Sequence, residues 1–113
     1  GCVYMGMDLT VWQARNHEAF KHDGWWYNDT VTEKYYSRKF WDLVHNCRFI
    51  PCDYENGTFI ELSKENIEEM IQVACKYHNY FGNYNDIPKL CELRDEYDNI
   101  IESGDKLYLE YDW

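Results

Sequence analysis

Lys106-Leu107-Tyr108-Leu109-Glu110-Tyr111-Asp112-Trp113 sets Leu107, Leu109, Tyr111 and Trp113 at alternate positions to Lys106, Tyr108, Glu110 and Asp112. A period of two sends the first set to one side of an extended chain and the second to the other, so the stretch reads as a β-strand with one apolar face. The same period occurs at the opposite end, where Val3, Met5, Met7, Leu9 and Val11 alternate with Tyr4, Gly6, Asp8 and Thr10. Each strand needs a hydrogen-bonding neighbour, because an unpaired edge invites association with other chains. Pairing the first strand with the last meets both needs, and everything between them must then fold back onto that pair.

The intervening segments carry their own punctuation. Residues 13–31 mix polar groups with Phe20, Trp25, Trp26 and Tyr27 without a clean period, which predicts a long connection tied down by aromatics. Thr32 is placed to cap a helix over roughly 33–47, with Tyr36, Phe40, Leu43, Val44 and Cys47 as its stripe and Pro51 beyond its end. Asn56-Gly57 is a two-residue turn signal, so 52–62 reads as a hairpin, with Thr58, Phe59 and Ile60 favouring strand. Ser63 then offers an N-cap, and Ile67, Met70, Ile71, Ala74, His78 and Phe81 form the apolar stripe of a second helix running to about residue 80. Pro88 suits a first helical turn, Leu90, Leu93, Tyr97, Ile100 and Ile101 continue at helical spacing, and Gly104 ends a third helix over roughly 87–102. The expected fold is a single α+β domain over residues 1–113, with three helices packed on one face of a small, mostly antiparallel sheet.

Charge is distributed unevenly over these elements. Residues 1–52 carry six acids and six bases, whereas residues 53–113 carry fifteen acids and five bases, so the net charge of −10 belongs to the second half. Aromatic residues make up 19% of the chain, far more than a disordered acidic segment carries, so the acidity sits on folded structure. A fixed acidic surface repels nucleic acid and attracts basic proteins. No apolar run approaches the roughly 18 residues of a membrane span, and no basic segment precedes an apolar one at the N-terminus, so neither membrane insertion nor export is expected. Five cysteines at irregular spacing, Cys2, Cys47, Cys52, Cys75 and Cys91, fit reduced thiols better than a disulfide framework.

Four short motifs carry a family likeness: the opening Met5-Gly6-Met7-Asp8, the stretch Tyr35-Tyr36-Ser37-Arg38-Lys39-Phe40-Trp41, the helix start Leu62-Ser63-Lys64-Glu65-Asn66-Ile67, and the ending Tyr108 to Trp113. Together they resemble a group of small bacteriophage and prophage proteins that open Met-Gly-Leu-Asp. The chain departs from that group in its Trp25-Trp26-Tyr27 insertion. The resemblance implies a phage gene expressed in the cytoplasm of a bacterial host, in the company of defence inhibitors of the anti-CRISPR type. It supplies no activity to transfer.

Reactive constellations are thin. His45, Cys47, Cys52, Cys75, His78 and Cys91 are of zinc-ligand type, but only Cys75 and His78 share a helix face, and no paired-cysteine knuckle occurs. Read plainly, Cys47, Cys75 and Cys91 are small apolar fillers and His78 a packed histidine. His17 and His22 are five residues apart and diverge by about 140° on a helix, so they do not form a zinc-protease pair. No phosphate-binding glycine loop or nucleophile elbow is present, and no catalytic residue, metal or cofactor is assigned.

The remaining candidate is the acidic set, Glu68 and Glu69 on the second helix with Glu92, Asp95, Glu96, Asp98 and Glu102 on the third. Glu65, Glu110 and Asp112 extend it, and Tyr77, Tyr80, Tyr84, Tyr97 and Tyr108 are scattered among the acids. Trp25 and Trp26 offer a second contact surface, because exposed aromatics anchor protein interfaces. The plain alternative is a solvated face that keeps the protein in solution. The functional expectation is a non-enzymatic module that binds a basic, nucleic-acid-handling host protein as a DNA mimic, without binding nucleic acid itself. The alternatives are a small-molecule or metal-binding accessory protein using His17, His22 or the cysteines, and a virion or assembly part.

Overall fold

The computed structural model describes residues 8–20, 31–38, 46–51, 59–81 and 86–112, with the side chains of 38, 77–81, 86, 111 and 112 outside that description. Strand β1 is Asp8–Ala14, β2 is Thr32–Arg38, β3 is Phe59–Leu62 and β4 is Lys106–Asp112. Helix α1 is Lys64–Phe81 and helix α2 is Asp86–Glu102. The strands form one sheet in the order β2-β1-β4-β3, with every neighbouring pair antiparallel. As expected from their matching periods, β1 and β4 lie side by side, from Asp8 opposite Asp112 to Ala14 opposite Lys106. They are the two central strands, so the two ends of the chain build the middle of the sheet.

Register explains which residues are buried. Val11, Leu109, Ile60 and Tyr35 line up across the four strands and therefore share one face. That face, with Leu9, Leu62 and Leu107, packs against Ile67, Met70, Val73 and Ala74 of α1 and Leu90, Leu93 and Ile100 of α2. Both helices thus cover the same side of the sheet. They run antiparallel, since Lys64 at the start of α1 bonds Asp98 near the end of α2 at 3.1 Å. The opposite face holds a smaller cluster. Phe20, in a 3-10 turn over His17–Phe20, stacks on Phe59 at 4.1 Å and meets the edge of Tyr108 at 5.2 Å. Ala14 and Ala19 complete it.

Helix boundaries follow from their caps. The Ser63 hydroxyl accepts the Asn66 N–H at 3.1 Å while the Ser63 N–H donates to the Asn66 side-chain oxygen at 2.9 Å, a reciprocal capping box with asparagine in the usual place of Glu or Gln. At the end of α2, the Gly104 N–H donates to the Ile101 carbonyl at 3.0 Å and the Asp105 N–H to the Ile100 carbonyl at 3.2 Å. This is a Schellman closure, which requires a left-handed residue, and Gly104 supplies it at φ 94°. The Arg15 guanidinium lies over that glycine, bonded to the Ser103 carbonyl at 3.3 Å and paired with Asp105 at 3.3 Å. Gln13 reaches the other Asp105 oxygen at 2.8 Å, so the α2–β4 turn is tied to the end of β1.

Two expectations need correction. Residues 32–38 form strand β2 rather than the start of a helix over 33–47, and the described residues contain two α-helices, not three. With β4 on only one side of β1, the other edge of β1 would stay unpaired, and Thr32, Tyr35 and Tyr36 have the branched and aromatic side chains that suit a strand there. Tyr35 and Ser37 point inward and Tyr36 outward, a period of two masked by a bulge opposite Val11 and Trp12. Of the rest of that span, Asn46 is helical and residues 39–45 lie outside the described residues, as do residues 1–7. Of the hairpin expected over 52–62, the described part is β3, which pairs with β4, and residues 52–58 lie outside the described residues.

Leu109→Ala should cost about 2–5 kcal/mol in urea unfolding, the usual range for emptying a fully buried leucine site. Gly104→Ala should cost about 1–2 kcal/mol, because an L-residue is strained at φ 94° and its Cβ displaces the Arg15 guanidinium. Equal urea midpoints for Gly104→Ala and the parent chain would contradict the closure described above.

Candidate acidic protein-binding surface

The acids of α2 occupy its outer side. At about 100° per residue, Glu92, Asp95, Glu96, Asp98 and Glu102 fall within an arc of about 160°, opposite the narrower stripe of Leu90, Leu93, Tyr97 and Ile100 that enters the core. All five carboxylates are exposed. The stripe therefore decides where the charges go: burying one side of α2 on the sheet forces the acids outward.

Three of the five have basic partners. Glu96 pairs with Lys34 of β2 at 2.9 Å, Asp98 with Lys64 of α1 at 3.1 Å, and Asp95 with its neighbour Arg94 at 3.4 Å. Glu92 and Glu102 have no ion pair among the described residues. Exposed pairs of this kind contribute only about 0–1 kcal/mol, so they hold these carboxylates only loosely.

On α1, Glu68 is exposed, whereas Glu69 is half-buried and accepts the backbone N–H of Arg48. Glu69 thereby holds the 47–50 turn, closed by the Ile50 N–H on the Cys47 carbonyl at 3.3 Å, against the helix. Burial of Cys47, reinforced by the Glu69 carboxylate, pushes that thiol up to about 12. A thiol so raised stays protonated at neutral pH and is no nucleophile.

The other acids of the second half lie elsewhere. Glu110 and Glu61 sit on the side of the sheet away from the helices, where Glu110 accepts the Trp12 indole N–H at 3.0 Å and Glu61 pairs with Lys106 at 2.9 Å. The acidic residues thus divide between an outer helical face and the far side of the sheet. Tyrosines divide as well. Tyr108 is buried, and burial, then Glu61, raises its hydroxyl. Tyr97 is half-buried and donates to the Leu62 carbonyl at 3.2 Å. Trp25 and Trp26, and the side chains of Tyr77, Tyr80 and Tyr84, lie outside the described residues.

One feature escaped the reading from sequence. Reading 33–47 as a helix hid a groove of about 450 Å³ between β2 and α2, lined by Glu33, Lys34, Tyr36, Lys89, Glu92 and Glu96 among others. The inward Tyr35 and Ser37 were the available signal for a strand there. Among the residues proposed as ligands or thiols, His17 is exposed, with its Nε2 3.2 Å from the Phe59 carbonyl and its ring 4.6 Å from that of Tyr108. Cys47 is buried and Cys91 half-buried, whereas Cys75 is exposed rather than the apolar filler expected, and no disulfide joins the three. Among the described residues no group of three or more His, Cys, Asp and Glu is placed to hold a metal, and no helix is long and apolar enough to cross a membrane.

The Cys47 thiol has a measurable signature. Its folded pKa lies above its value in the unfolded chain, so the native state retains a proton that the unfolded state loses at high pH. Its stabilising contribution is full below pH 9.0 and is lost as pH rises towards about 12. Urea midpoints should therefore fall through that window, less steeply in Cys47→Ala than in the parent; parallel slopes would place the thiol outside the core. Compared with known protein families, with curated proteins and with solved structures, the chain has no match in any of the three.

Proposed function

We propose that this chain is a non-enzymatic, phage-encoded binding module that docks the outer acidic face of α2 on a basic, nucleic-acid-handling protein of the bacterial host, taking the place of nucleic acid there. The observation that carries this reading is the fixed row of exposed carboxylates on one side of one helix. Glu92 and Glu102 are ten residues apart, a rise of about 15 Å, and the five acids from one to the other stand on average about 3.8 Å apart along the axis. A single nucleic-acid strand presents one phosphate per about 3.4 Å, so the row matches the charge density that such a site accepts.

Rigidity favours this use. A disordered acidic tail must be ordered on binding, whereas the acids of α2 are held in place by packing on the sheet and by the Schellman closure at Gly104. The phage resemblance supplies the context, since a host nuclease or defence complex is a basic target that a phage gains by blocking. Glu68 on α1 belongs to the same outer layer and extends the surface.

Immobilised protein should retain a basic nucleic-acid-binding protein from nuclease-treated host lysate at low ionic strength, and added duplex DNA should release it. The triple variant Glu92→Lys, Asp95→Lys and Glu102→Lys should fold with an unchanged circular dichroism spectrum and bind that protein at least about tenfold more weakly. Undiminished binding by the triple variant would sink the proposal.

A further inference from the structure

We draw no further inference here: the strongest candidate, the groove of about 450 Å³ between strand β2 and helix α2, is bordered by Lys34, Lys89, Glu92 and Glu96, whose charges balance, and nothing in the structure shows what covers it.

Discussion

The pairing of β1 with β4 is the constraint on which the rest of the structure depends. It joins segments separated by nearly the whole chain, Val11 with Leu109 and Leu9 with Tyr111, and so closes a long loop at an entropic cost that local contacts do not repay. What repays it is burial from both sides. Leu107 and Leu109 are fully buried under the helices, and Tyr108 between them is buried under Phe20. Once the two central strands are joined, β2 has one open edge to fill and β3 the other, and the helices have a single apolar face on which to lie.

The acidic surface is a consequence of that arrangement. Each helix spends its apolar stripe on the sheet, and the carboxylates have nowhere to go but outward. Crowding them there costs self-repulsion, which Lys34 and Lys64 relieve by tying Glu96 to β2 and Asp98 to α1. Ties of this strength hold the carboxylates only loosely. Glu69 behaves differently: bonded to the Arg48 backbone and facing Cys47, it serves the packing of the 47–50 turn.

What was legible in the sequence was whatever is encoded locally and with a clear period. The alternation in β1 and β4, the Ser63 cap and the Gly104 stop each mark an element within a few residues, and α1 and α2 lie where their stripes placed them. Strand β2 was not legible because the bulge near Lys34 breaks its alternation, and because Tyr36 stands at helical spacing from Phe40 in the sequence, which extended the expected helix back over it. The pairing of β3 with β4 was hidden because it joins strands more than forty residues apart and no local signal at Phe59–Leu62 marks it. Burial of Tyr108 could not be read from β4 alone, because it depends on the 3-10 turn that carries Phe20. The acids of α2 were legible as a group, but their separation from Glu61 and Glu110 depends on strand register, which the sequence does not display.

Hydrogen exchange of the native protein tests the central claim most directly. Amides of residues 9–13 and 107–110 should exchange last, with an opening free energy equal to that of global unfolding, because both strands are paired on both sides and close the fold. Exchange of the β1 amides through a smaller opening, while α1 and α2 stay protected, would show that the helices hold together without the β1–β4 pair and would contradict the account.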